Sequence, residues 1–281
     1  MTTSAHERPP SASVLAAFGA NEPAVRFTKG RGQTWDAGGL VLKPVEDEGE
    51  ARWVAELSAA LPQHRFRLAR PIATREGDWV AEGWSAWTRV EGEHSATRWP
   101  ELLTAAAAFH DALRNLPKPE FISRQERSAS SSVALDRWRV ADRIVWGGPV
   151  PEEFAQRAPL DALFAARRPV DLPSQIIHGD LVGNVLFAPE LPPAIIDLSL
   201  YWRPVGYSAA LVVGDALVWE GASRDIVQLL TPFDQWPQLL LRAVLFRMIV
   251  NELRRRLEPS RADLRAEYRD VVELVRSLVD L

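Results

Sequence analysis

Three short apolar runs, each stopped by a polar group, crowd the segment between Ser174 and Ser199 and restrict the fold more than any other stretch. Gln175-Ile176-Ile177 delivers His178-Gly179-Asp180; Gly183-Asn184 opens Val185-Leu186-Phe187; Pro193-Ala194-Ile195-Ile196 stops at Asp197. Apolar runs of this length, bounded by glycine, proline and polar residues, read as buried strands. Strands that end at Asp, Asn and Asp bring three oxygen-bearing side chains to one edge of a buried hairpin. Hard divalent cations take oxygen ligands, and Mg²⁺ typically combines one or two carboxylates with phosphate oxygens and water. A further acid nearby that does not ligate the metal can accept a proton from a substrate hydroxyl.

Around this segment the chain changes character once. Residues 1–20 begin MTTSAHERPPSAS, polar and without an apolar core, and read as a flexible tail rather than a signal peptide or anchor. Residues 21–88 read as short strands (24–28, 38–45, 66–72 and 77–84) around one helix at 47–61, which carries Trp53, Val54, Leu57 and Leu61 at helical spacing. From 89 to 281 the pattern is mainly helical. Residues 98–116 carry Leu102, Phe109, Leu113 and Leu116 on one stripe and stop before Pro117; 151–168 read as a helix; residues from Tyr207 onward are helical again. Residues 236–257 are apolar on most sides, as expected of a buried helix, although Arg242 and Arg247 interrupt them. The expected architecture is α+β: a small antiparallel sheet with one helix, followed by a larger helical part.

Composition removes several function classes. Hydrophobic residues make up 47% and charged residues 25% of 281, an ordinary globular balance. No apolar run approaches the ~18 residues of a membrane span. The absence of cysteine excludes disulfides, thiol nucleophiles and thiolate metal sites. A net charge of -4 provides no basic field to gather nucleic acid. A cytoplasmic protein without nucleic-acid or membrane partners is expected. Only Lys29, Lys43 and Lys118 among 33 basic residues are lysines. A lysine kept inside an apolar strand, as Lys43 is, therefore draws attention, because ammonium and guanidinium are not interchangeable.

His178-Gly179-Asp180, Asn184 and Ile195-Ile196-Asp197 together resemble the catalytic and metal-binding loops of the aminoglycoside phosphotransferase and choline kinase-like family, relatives of the protein kinases. The likeness extends to other residues in the same order. Val41-Leu42-Lys43 resembles the strand lysine that pairs with the α- and β-phosphates. Glu50, with Glu56 as the alternative, stands where the family's lysine-orienting glutamate lies. The turn Gly30-Arg31-Gly32-Gln33-Thr34 is placed like the phosphate-covering loop, and Ala108-Phe109-His110-Asp111 resembles a histidine-bearing helix of the large lobe. The resemblance spans roughly residues 26–220 and implies a protein-kinase-like bilobal fold.

That resemblance also implies roles. Asp180 would be the catalytic base and His178 a structural member of its loop. Asn184 and Asp197 would hold Mg²⁺ on the phosphates of ATP or GTP, and Lys43, Glu50, Gly30, Gly32 and Thr34 would serve the nucleotide. The reaction implied is transfer of the γ-phosphate to a hydroxyl of a small polar molecule such as an aminoglycoside, an amino sugar or choline. Trp138, Trp146 and Trp202 are candidates for the acceptor wall; Asp215, Glu220 and Asp225 in the helical part read either as acids that favour a cationic acceptor or as solvated surface charges. Two departures mark a divergent branch. Leu181, Val182 and Gly183 leave three residues between the loop Asp and Asn where the family has four, and Leu198-Ser199 replaces an aromatic residue and acid. The shortened loop motivates a second reading, a nucleotide-binding module without transfer activity.

Overall fold

The computed structural model describes residues 8–27, 33–128, 133–260 and 262–279. They pack as two units, one formed by the residues up to Glu93 together with Val185–Leu198, the other by His94–Asn184 and Ser199 onward. In chain order the strands are β1 (Val25–Arg26), β2 (Trp35–Ala37), β3 (Leu40–Pro44), β4 (Arg67–Leu68), β5 (Pro71–Ile72), β6 (Trp84–Thr88), β7 (Gln175–His178), β8 (Val185–Leu186), β9 (Ala194–Ile195) and β10 (Leu200–Arg203). Helices α1 (Ala12–Ala17), α2 (Glu48–Ala60), α3 (Trp99–Leu113), α4 (Glu120–Ser128) and α5 (Val133–Val145) precede β7, with the short α6 (Glu152–Ala155) and α7 (Leu160–Ala166). Helices α8 (Val205–Trp219), α9 (Trp236–Leu257) and α10 (Arg269–Val279) follow β10.

In the first unit five strands form a sheet in the order β1-β2-β3-β6-β5, antiparallel throughout. β3 is its centre and pairs with β6 so that Lys43 stands opposite Ser85. Leu42 and Ala86 point to the buried face, where they meet Ala37 and Trp84. Asp47 starts α2 by accepting the Glu50 N–H at 3.0 Å, which satisfies one of the amides a helix start leaves open. Arg52 ties the helix to the 74–80 loop through a two-pronged contact with Asp78, at 2.9 and 3.0 Å.

The reading of residues 1–20 as a tail is corrected for residues 12–18. Ser11 caps α1 by accepting the Val14 N–H at 3.2 Å, and Val14 and Phe18 are buried against Leu42, Trp84 and Ala86. Six residues with a single apolar pair give too little periodicity to announce a helix. The expected strand at 66–72 is two strands in different sheets, since β5 joins β6 whereas β4 pairs in parallel with β9. The strand expected at 77–84 begins at Trp84 instead, because Glu82 and Gly83 adopt left-handed backbone (φ +47° and +74°) and turn the chain first. β9 also pairs with β8, and Arg67 donates to the carbonyls of Pro192 and Glu91 at 2.7 and 3.0 Å. These bonds place 185–198 in the first unit despite its late position in the chain.

The second unit is helical apart from the two-stranded sheet of β7 and β10. α8 and α9 pack on each other, and α5 and α10 pack on α9. Every residue of α9 from Leu239 to Val250 is buried, as its all-round apolar pattern requires. The expected helix at 151–168 is two short ones, α6 and α7, with Pro159 between them. No described helix is long and apolar enough to cross a membrane.

Phe18→Ala tests the integration of α1 into the first unit. Removing a buried phenylalanine side chain typically destabilises by about 3–5 kcal/mol. Urea unfolding followed by circular dichroism is expected to show a loss of that order, whereas a dangling tail would leave the midpoint unchanged.

Candidate active site

In the second unit, β7 runs buried into the turn His178-Gly179-Asp180, and nearly every polar group of that turn has a fixed partner. The His178 N–H donates to Nε2 of His110 on α3 at 3.1 Å, and the His178 carbonyl accepts from the Ser208 hydroxyl on α8 at 2.6 Å. Gly179 N–H donates to the Ser199 carbonyl at 2.8 Å. The Asp180 N–H donates to His178 Nδ1 at 3.0 Å. His178 thus bonds backbone, and its Nδ1 must be unprotonated to do so. Glycine is required at 179, because a Cβ there would lie 2.5 Å from the Tyr201 ring on β10.

The Asp180 side chain is one-third exposed and held from two sides. Its Oδ1 accepts from Arg247 on α9 at 2.8 Å, and Oδ2 lies 3.4 Å from the Asn184 amide nitrogen. That amide also donates to the Asp180 carbonyl at 2.7 Å. The three-residue loop therefore keeps Asn184 beside Asp180. Gly183 takes φ +81° and the Asn184 N–H donates back to the Leu181 carbonyl at 3.0 Å, closing a tight turn. Since Nδ2 of Asn184 is the donor in both bonds, its side-chain oxygen is the atom suited to a cation.

Arg247 also donates twice to Asp215 on α8, at 2.8 and 2.5 Å, and both side chains are more than nine-tenths buried. Burial opposes the guanidinium charge, but Asp215 and Asp180 outweigh it and hold Arg247 protonated well above its ordinary value. Asp215 is thereby sealed against a buried arginine, which corrects its reading as an acid that favours a cationic acceptor. Glu220 lies 3.9 Å from His94, and Asp225 is exposed in a 3-10 turn.

In the first unit, Lys43 Nζ lies 3.2 Å from Asp197 Oδ1, within hydrogen-bond reach. Asp197 follows β9 with φ +52°, the left-handed region, and its side chain is 64% exposed. The two residues line one cleft with Glu50, Ser85, Trp87 and Ile196. Glu50 shares that cleft, but the ion pair of Lys43 goes to Asp197 rather than to Glu50. Glu56 is exposed on α2. Thr34 precedes β2, where its carbonyl accepts from the Phe27 N–H at 2.9 Å, and is not among the cleft's lining residues. Gly30 and Gly32 fall outside the described residues.

The donor chemistry suits Mg²⁺. Asp197 in the first unit and Asn184 in the second each carry an oxygen donor of the kind hard cations take, and the described residues hold no group of three or more His, Asp or Glu side chains that could hold a metal ion.

Ser208 and Arg247 hold the turn and its carboxylate, and sequence reasoning gave neither that place. Arg247 has a sequence signal, a charge inside an otherwise buried apolar helix that requires a buried partner. Asp215, in the equally apolar α8, answers it.

The sequence model of the phosphotransferase enzyme family matches residues 19–201. No curated protein matches the chain. Among solved structures, a spectinomycin phosphotransferase in complex with ADP and spectinomycin is 15% identical with a TM-score of 0.54, over 92% of this chain and 94% of that one. A thermostable variant of an aminoglycoside phosphotransferase, in a ternary complex with ADP and hygromycin B, is 14% identical with a TM-score of 0.55, over 95% and 97%. An aminoglycoside 2'-phosphotransferase in complex with GDP is 13% identical with a TM-score of 0.52, over 95% and 96%. At these identities the likeness establishes a shared protein-kinase-like fold.

Burial, and secondarily the neighbouring His178, pushes the His110 imidazole down to about 3. The unfolded chain therefore binds a proton near pH 6.5 that the folded chain refuses until about pH 3, and stability falls as pH drops through that window. His110→Gln, whose side-chain oxygen can still accept from the His178 N–H, is expected to flatten this dependence in urea titrations from pH 7 to pH 3. Asp215→Ala strands Arg247 with half its counter-charge. Breaking a buried pair in this way is expected to lower the unfolding free energy by about 3–5 kcal/mol, measured by urea denaturation at pH 7.

Proposed function

Because the chain belongs to the phosphotransferase enzyme family, we propose that it transfers the γ-phosphoryl group of ATP or GTP to a hydroxyl of a small polar molecule with Mg²⁺ as cofactor. The observation that carries this reading is the anchoring of Asp180: a carboxylate delivered by a fully bonded turn, fixed at one oxygen by a buried arginine and one-third open to solvent. A general base must be held in place before it can orient a substrate.

Asp180 orients the acceptor hydroxyl and takes its proton as the hydroxyl oxygen attacks the γ-phosphorus. The bond from that phosphorus to the β–γ bridging oxygen breaks, and the nucleoside diphosphate departs with the bonding electrons. Lys43 supplies a compact positive charge to the phosphates. Ser85, opposite it in the sheet, and Trp87 line the cleft in which the nucleotide sits. Asn184 and Asp197 would hold Mg²⁺, which supplies neutralisation of phosphate charge when bound. His178 holds the turn in shape and moves no proton. Glu50 contributes to the wall of the nucleotide cleft, and Gly30, Gly32 and Thr34 belong to the proposed phosphate-covering turn.

The short 181–183 loop raises the alternative of a module that binds nucleotide without transferring phosphate. The tight turn at Gly183 and the bond of Asn184 to the Asp180 carbonyl support an intact loop instead.

The test is release of nucleoside diphosphate from MgATP and MgGTP across a panel of hydroxylated small molecules. With an accepted substrate, Asp180→Asn is expected to lower kcat by about 10²–10⁴-fold, the usual contribution of a general base. Lys43→Ala is expected to raise the KM for nucleotide. Wild-type turnover by Asp180→Asn, or no acceptor-stimulated release by the wild-type protein across the panel, contradicts the reading.

A further inference from the structure

One wall of the Lys43–Asp197 cleft is α2 with its cap, which turns Asp47, Glu50, Ala51, Val54 and Ser58 toward it at helical spacing. Yet of the thirteen residues of α2 only Val54, Ala55 and Ser58 are buried. A helix anchored by so few groups has little packing to fix its position. Two arginines hold it instead. At the C-terminal end Arg70, between β4 and β5, donates to the Ser58 and Ala59 carbonyls at 2.9 and 3.2 Å, groups that a helix end leaves open. In the N-terminal half Arg52 grips both oxygens of Asp78, at 2.9 and 3.0 Å, and gives its remaining terminal nitrogen to Glu48 at 2.9 Å.

Asp78 belongs to a loop that is bonded on itself. The Thr74 N–H donates to the Asp78 carbonyl at 2.7 Å, the Gly77 N–H to the Thr74 carbonyl at 2.9 Å, and the Asp78 N–H to the Thr74 hydroxyl at 3.1 Å. Oδ1 of Asp78 also accepts from the N–H groups of Trp79 and Val80 at 2.6 and 3.3 Å. Arg52, and after it these backbone donors, hold the Asp78 carboxyl down to about 2, so it stays charged at neutral pH. The Arg75 N–H donates to the Ala17 carbonyl at 3.0 Å, which fastens the same loop to the end of α1. The thinly packed helix is thus forked to a fixed point of the sheet. An exposed ion pair adds little to stability, so the consequence of the fork is positional.

Resting on the phosphotransferase reading above, we infer that Arg52 and Asp78 are positioning residues for the nucleotide: neither lines the cleft, and their fork sets where α2 holds Glu50 and Ala51 against it. A released helix samples several positions, of which one completes the wall. The fraction of molecules outside that position is lost from nucleotide affinity.

Calorimetric titration of MgATP and MgGTP into the full chain tests this with Arg52→Met, which removes the fork, and Asp78→Asn, which keeps an oxygen for the Trp79 and Val80 N–H groups. Circular dichroism confirms the fold of each variant. Each is expected to raise the Kd of the bound nucleotide at least about three-fold. The double variant is expected to lose no more than either single one, because both remove the same contact. Arg52→Lys, which keeps the charge but not the fork, is expected to fall between wild type and Arg52→Met. With an accepted substrate the loss is expected in the nucleotide KM and not in the acceptor KM. Unchanged Kd in both single variants, losses that add in the double variant, or a parallel rise in the acceptor KM overturns the inference. Absence of nucleotide binding by the wild-type protein overturns the phosphotransferase reading instead. Hydrogen exchange then tests the fork alone: the amides of residues 51–55 are expected to exchange at least about three-fold faster in both variants, and equal exchange overturns the positioning of α2.

Discussion

A buried guanidinium cannot stand without counter-charge, and Arg247 satisfies that requirement by bridging Asp215 and Asp180. The bridge joins α8, α9 and the turn after β7, so the packing of the helical unit and the position of the Asp180 carboxylate share one interaction. A buried ion pair is weak grounds for stability when compared with a well-packed apolar replacement, but breaking one partner is severe. Here the arrangement fixes a direction. With Oδ1 taken by Arg247 and the backbone of the turn bonded to His110, Ser208 and Ser199, the rest of the Asp180 carboxylate has little freedom.

The first unit solves a different problem, that of bringing an acid from late in the chain to a lysine near its beginning. β4 does so by pairing in parallel with β9, and Arg67 fastens the hairpin at Pro192 while also bonding the Glu91 carbonyl after β6. Lys43 is then held by the sheet and Asp197 by the end of the hairpin, and the two meet at 3.2 Å. The left-handed backbone of Asp197 is an uncommon conformation for a residue with a side chain, and such conformations persist only where the surroundings determine them.

The elements readable from the sequence are those in which local pattern and final environment agree. The stripe of 98–116 becomes α3, the apolar 236–257 becomes α9, and Ile176-Ile177 becomes the buried strand that delivers His178. α1 is too short for periodicity to register. α4 and α5, between Glu120 and Val145, are rich in charged residues whose sense appears only once Arg139, Asp142 and Arg203 meet. The pairings of Arg247 with Asp215 and of β4 with β9 join residues far apart in the chain. No short window contains the information.

In the proposed reaction Asp180 acts on the acceptor rather than on the nucleotide. Calorimetric titration of MgATP and MgGTP, combined with single-turnover kinetics on wild-type protein and Asp180→Asn, separates the two most directly. Matching nucleotide affinities are expected for the two proteins, with the chemical step lost from the variant. Loss of nucleotide affinity in parallel with the step, or an unchanged single-turnover rate, would contradict it.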